Sequence, residues 1–183
     1  MSTQAPAKVL GVYTSTDHSF SKQPVDEIEL VAGLGVAGDC HKGAQVKHRS
    51  RVAADPTQPN LRQVHLMHTE LFAELHPDYE IKGGDLGENI TTQGIDILSL
   101  PTGATLKIGE TALIAITGLR NPCQQIEAFR PGLLKRVAHK NANGQLVRKA
   151  GVMGVVVLEG IIRPGDGIDV TLPPKPHVPL ERV

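Results

Sequence analysis

Nineteen glycines and thirteen prolines are spread along this 183-residue chain, and so many turn formers allow only short elements. Lys8 to Tyr13 and Ile28 to Val31 read as strands, with Gly33, Gly35 and Gly38 forcing repeated turns after the second. Gln63 to Leu66 alternates polar and apolar residues as a half-buried strand does. Thr69 then caps a short helix, Glu70 to Leu75, that stops before Pro77. Thr105 to Ile108 and Leu113 to Thr117 read as strands joined at Gly109-Glu110, the second of them buried on both faces. Ile126, Phe129, Leu133, Leu134 and Val137 mark helical pieces broken at Pro131, and Asn141 to Gly144 is a polar turn. Val152 to Leu158 is the strongest late strand, and the Arg163 to Gly167 turn leads into another over Ile168 to Val170.

Short strands, glycine-rich turns and two or three short helices predict a mainly β, barrel-like domain rather than alternating βαβ units. The length suits one core, expected over residues 1–172, with a proline-rich extended tail over 173–183. Aromatic residues are only 3% of the chain, which leaves that core to Val, Ile, Leu and Ala.

Lys plus Arg equals Asp plus Glu at 19 each, so no global field draws the protein to nucleic acid or anionic lipid. Any anion site is local. The segment Met1 to Val9 lacks a signal-peptide core, and Val152 to Leu158 is far too short to span a bilayer; the expectation is a cytoplasmic protein without membrane or nucleic-acid partners. Local positive charge gathers from Cys40 to Asn60, which carries Lys42, Lys47, His48, Arg49 and Arg51 with little hydrophobic periodicity and reads as an exposed, mobile loop.

Three segments can carry chemistry. In Thr117-Gly-Leu-Arg-Asn-Pro-Cys123, Asn121 suits a helix cap, Pro122 the first helical position and Gln124 the third, so Cys123 falls in the first turn. Free amides, the helix dipole and Arg120 would stabilise negative charge on its sulfur there. The alternative is a small buried apolar residue, the commonest fate of a free cysteine. Gly38-Asp-Cys-His-Lys-Gly43 gathers an acid, a thiol and an imidazole, yet is incomplete as a zinc site and reads equally as a turn built on Asp39. Gly83 to Asn89 is either a plain glycine turn or the border of a pocket, to which Asp85 and Asn89 would offer hydrogen bonds.

Taken together and in order, these segments resemble the MOSC domain family, named for the C-terminal domain of molybdenum-cofactor sulfurase. Gly38-Asp-Cys-His41 is similar to its G-D-x-H element, Gly84 to Ile90 to its G-x-x-G-E-N loop, and Thr117 to Cys123 to its T-G-x-R-x-P-C segment. Gly151 to Val157 and Arg163-Pro-Gly-Asp166 resemble its closing strand and turn. The resemblance implies a β-barrel with a few short helices that handles molybdenum cofactor (molybdopterin) or its sulfur. Cys123 would be the catalytic residue, either ligating molybdenum or carrying a persulfide. Arg120 and Asn121 would bind pterin or phosphate beside it, with Thr117 in the same segment. Asp39, His41, Lys42 and Asn89 would shape the pocket, and the basic loop with Arg49 would close over the ligand.

Related two-domain proteins reduce N-hydroxylated compounds with electron-transfer partners. This chain has no ferredoxin-like cysteine cluster, so such an activity would need a separate electron-transfer protein; a sulfur-carrier role would instead need a cysteine desulfurase. Cys40 departs from the family pattern and leaves open a second sulfur ligand or a disulfide with Cys123. Two readings of other kinds remain: a non-catalytic interaction module with a structural cysteine, and a zinc protein using Cys40, His41, Cys123 and His48.

Overall fold

The protein is described by a computed structural model that covers residues 6–183, so the start of the Met1 to Val9 segment lies outside the described residues. The first strand, β1 (Lys8–Thr14), buries Val9, Gly11 and Val12; a register shift between Val9 and Gly11 lets two adjacent residues face inward. It pairs antiparallel with β2 (Gln23–Val25). β3 (Ile28–Val31) and β4 (Gly35–Val36) follow as a small hairpin turned at Gly33, whose φ of 72° suits glycine. The basic segment that follows contains the helix α1 (Arg49–Ala54), which buries no residue. That segment is not the free loop its composition predicts. Asn60 donates to the carbonyls of His41 and Gly43, and Val46 N to Gln58 O, which ties its two ends together, while Cys40 N donates to Ser15 O and Gly43 N to Leu34 O in the body of the fold.

β5 (Val64–His68), α2 (Thr69–Leu75) and β6 (Ile90–Gln93) form one βαβ unit with parallel strands, an element the sequence reading excluded. Thr69 opens α2 rather than capping it, and no side chain caps His68 at its start. β7 (Thr105–Ile108) and β8 (Ala112–Leu119) are the expected hairpin. β8 alternates buried and half-buried residues along its length, so it has one core face instead of two. The two helical pieces are α3 (Gln124–Phe129) and α4 (Leu133–Val137); the hairpin β9 (Ala138–Lys140) and β10 (Leu146–Arg148) turns at Asn141 to Gly144. β11 (Val152–Leu158), β12 (Gly160–Ile162) and β13 (Ile168–Thr171) complete the chain's regular structure.

Eight strands make one sheet in the order β13-β7-β8-β11-β5-β6-β1-β2, and β12-β3-β4 make a second. The mainly β class with few short helices is as expected, but the sheet is open and the predicted barrel does not close. β1 meets the start of β13 through an isolated bridge between Lys8 and Gly167, with Val9 N donating to Asp166 O at 2.8 Å, Gly165 N to Val9 O at 2.8 Å and Ile168 N to Ala7 O at 2.9 Å. One aliphatic core fills the curled sheet, including Leu30, Leu66, Leu106 and Ile114. A second packs α2, α3 and α4 against Met67 and Leu86.

The segment after Pro173 has no strand or helix beyond the bridge at Arg182, and it is docked. Thr102 N donates to Val178 O at 2.8 Å, Leu119 N to Glu181 O at 2.7 Å and Val183 N back to Leu119 O at 3.2 Å. It occupies the part of β8 that β7 leaves unpaired, because β7 ends its register at Ala115.

Candidate cofactor cleft

Where β8 runs out at Leu119, the next amide, Arg120 N, donates to Gly151 O at 3.0 Å, and the chain turns through Asn121-Pro122 into α3. Cys123 is itself the helix cap, in extended backbone at φ −135°, and its side chain makes no cap bond. The capping scheme read from Asn121 and Pro122 therefore lies too early in the chain. The thiol is half-buried, and its Sγ lies 3.5 Å from Gln125 Oε1. A helix of six residues gives little dipole to act on it. The charges nearby come instead from arginines.

Cys123 opens onto a cleft of about 780 Å³ whose walls carry Lys22, Arg49, Arg51, Arg62, Arg120 and Arg182 and no carboxylate. A chain of zero net charge thus concentrates cations in one place, where low-dielectric walls strengthen their attraction for an anion. Burial lowers the pKa of Arg120, with Cys123 and Glu88 acting the other way. Arg62 is brought to about 10 by burial and by Arg51 and Arg120, again with Cys123 opposing, so the sulfur lies within electrostatic reach of both guanidiniums. Arg120 Nη1, Arg62 Nε and His48 Nδ1 are buried without a hydrogen-bond partner, a costly state that an occupant of the cleft would relieve.

Behind the cations stands a buried hub. Asp39 Oδ2 accepts from Lys22 Nζ at 2.6 Å and from Asn89 Nδ2 at 3.0 Å, while Oδ1 accepts from His41 N at 3.0 Å. Burial works against its charge, but the His41 and Lys22 contacts prevail and hold this carboxyl well below the usual range. Asn89 also donates to Tyr13 O and accepts from His65 N, so all its polar capacity goes to the framework. Burial and the surrounding cations push His48 down to about 2 and His65 far below its ordinary value, leaving both rings neutral. The glycine loop keeps its own amides occupied: Gly84 N donates to Glu88 Oε1, Asp85 N to Lys82 O, Gly87 N to Gly84 O and Asn89 N to His65 O. The loop nonetheless borders the cleft, whose wall includes Leu86, Gly87 and Asn89 but not Asp85.

Of the residues expected at the site, His41, Arg49, Asn89, Arg120, Asn121 and Cys123 line the cleft. Asp39 supports it from behind. Lys42 and Thr117 are not on its wall; Thr117 Oγ1 donates to Leu61 O at 2.6 Å. Sequence reasoning missed Lys22, Arg62, His65 and Arg182 as lining residues. Their only signal is basic or imidazole chemistry scattered over distant segments, which nothing short of the fold brings together. Cys40 and Cys123 are both free, and the potential ligands that come close together among the described residues are His18, Cys40 and His41, without Cys123 or His48. The four-ligand zinc set is therefore not assembled.

A curled mixed sheet with a cationic, thiol-bearing cleft at the β8–α3 turn defines a class of small β proteins. The profile of the MOSC domain matches residues 43–169, so the chain belongs to the MOSC domain family, which is associated with molybdenum-cofactor-related function. The Gly38 to His41 element lies just before the matched residues. Among solved structures, the chain is similar to the YuaD protein of Bacillus subtilis at 25% identity and a TM-score of 0.70, covering 90% of this chain and 94% of that one. YiiM of Geobacillus stearothermophilus aligns at 17% identity and TM-score 0.61, covering 91% and 75%, and YiiM of Escherichia coli at 20% and 0.61, covering 94% and 72%. No curated protein sequence matches significantly. No helix among the described residues is long and apolar enough to cross a membrane.

Proposed function

We propose that the cleft binds molybdenum cofactor and that Cys123 supplies the protein's thiolate ligand to the metal. The observation that carries this reading is the joint presence of an accessible thiol with the orphaned donors of Arg62 and Arg120 in one cationic cleft. The residues fit the group: thiolates suit soft metal centres, and guanidiniums suit a phosphate, which they hold through paired N–H bonds. Arg62, Arg120 and Arg182 would hold the phosphate, Asn121 the polar edge of the pterin, and Cys123 the metal. When bound, the cofactor supplies two-electron redox chemistry. Arg120 and Arg62 attract the cofactor's negative charge, His48 and His65 remain neutral, and Asp39 fixes Lys22 and Asn89 in the wall. Reduction of an N-hydroxylated compound is the reaction class proposed, with electrons arriving from a separate protein.

The test is to produce the protein with cofactor supplied, measure bound molybdenum and pterin, and compare Cys123→Ser. We expect the variant to lose molybdenum; equal metal in both proteins removes the ligand role. The partial exposure of Cys123 favours a second reading, sulfur carriage. Its thiolate would attack the sulfane sulfur of a cysteine desulfurase persulfide, forming a new S–S bond and releasing the desulfurase thiolate. That role shows as a mass gain of about one sulfur on Cys123.

A further inference from the structure

Cys40 has no part in that reading, yet it is grouped with two imidazoles at the edge of the cleft in a way that asks for a ligand. His18, on the loop between β1 and β2, meets Cys40 and His41, on the loop after β4, with one potential ligand atom from each lying within 4.8 Å of the others. Cys40 Sγ is 3.2 Å from His41 Nδ1, and the His18 and His41 rings meet edge to face at 5.3 Å. The loops are already joined, since Cys40 N donates to Ser15 O at 2.9 Å.

A nucleophilic triad is the obvious alternative, and the geometry opposes it. Asp39 Oδ1 and Cys40 Sγ both approach the same nitrogen, His41 Nδ1, each at 3.2 Å. A triad needs the carboxylate on one ring nitrogen and the nucleophile on the other. Burial also raises the Cys40 pKa, which keeps the free thiol protonated.

We infer that His18, Cys40 and His41 form a three-ligand site for a borderline divalent metal ion such as Zn2+. Zinc bonds of about 2.0 to 2.3 Å in tetrahedral geometry set ligand atoms roughly 3.3 to 3.8 Å apart. The Cys40–His41 pair is already near that spacing, and exposed His18 closes the set with a shift of about 1 Å. Asp39 Oδ1 stands 3.2 Å from the same His41 nitrogen, so its carboxylate places negative charge beside the ion. A thiolate and that carboxylate offset the repulsion a divalent ion meets from the cleft's cations. Three protein ligands leave a fourth position for water or a ligand.

Cobalt titration of the purified full-length chain tests the site, because a cobalt–thiolate bond gives a charge-transfer band that Zn2+ abolishes on displacing it. We expect one equivalent bound, with the band present in wild type and in Cys123→Ser and absent from Cys40→Ser. His18→Ala, a change at an exposed residue that leaves the fold intact, should weaken binding at least as much as the ~10-fold typical of losing an outer-sphere partner. No band in the wild type, a band that persists in Cys40→Ser, or one that vanishes in Cys123→Ser overturns the assignment. The molybdenum reading is tested by different atoms and survives or falls separately.

Discussion

Gly118 lies under the carbonyl of Glu181: a Cβ on Gly118 would stand 2.5 Å from that oxygen and 2.8 Å from the Cβ of Val183. The glycine of the Thr117-Gly118 motif is thus the place where the C-terminal segment passes over β8 on its way to deliver Arg182 to the cleft. Gly118→Ala should lift the tail without unfolding the sheet, at the 1 to 3 kcal/mol that overpacking typically costs, about the same here. Limited proteolysis reads this directly. A tail cut no faster in the variant than in the wild type would show that the contact can relax.

Arg182 should then be a working cation of the cleft rather than a passenger. It is solvent-exposed, so removing its charge is expected to change phosphate affinity by about 2- to 5-fold, the scale of an exposed ion pair. Calorimetry with inorganic phosphate on Arg182→Ala and Arg182→Lys is the measurement. Arg182→Lys should retain most of the binding and both variants the wild-type thermal midpoint. An unchanged affinity in Arg182→Ala would remove the tail from the site.

The limits of the sequence are physical ones. Local pattern located β1, β3, β7, β11 and β13 because alternating aliphatic residues and glycine turns act over a few neighbours. It missed β2, β4 and β12, each two or three residues long, where only partner strands make the element. Closure was equally out of reach: it depends on the register of β1 against the turn before β13, where the few backbone bonds of Ala7 and Val9 to residues 165, 166 and 168 do not extend into a ladder between strands. At the site, Cys123 stood out by its turn, but the cations around it come from residues 22, 49, 51, 62, 120 and 182, and no spacing rule links them.

Asp39 is expected to matter for folding more than for ligand contact. Its carboxylate is the partner of Lys22, an ammonium only 5% exposed, and removal of one member of a buried pair costs about 3 to 5 kcal/mol. Asp39→Ala should lose stability on that scale in urea denaturation. The double variant Asp39→Ala with Lys22→Met should regain a large part, since no charge is then stranded. Additive losses in the double variant would mean that Asp39 and Lys22 stabilise the fold through other contacts rather than through each other.

Acid should destabilise the protein through two desolvated histidines. His48 and His65 are held neutral in the fold, with pKa values below the ordinary 6.5, so at pH 5 the unfolded chain binds protons that the folded one refuses. The sign follows: stability is full above about pH 6.5 and falls as pH drops below it, by at most about 1.4 kcal/mol per histidine for each unit. Asp39, shifted down, contributes in the ordinary way above about pH 4 and loses that contribution only on further acidification, so it does not act in the same window. Urea denaturation at pH 7.5, 6.5 and 5.5 should show midpoints that decline below 6.5, and His48→Asn should lessen the slope by about one proton's worth. A pH-independent midpoint would mean that these rings take up protons in the folded state. In that event the cleft would gain charge on acidification, and its affinity for phosphate would rise rather than the fold weaken.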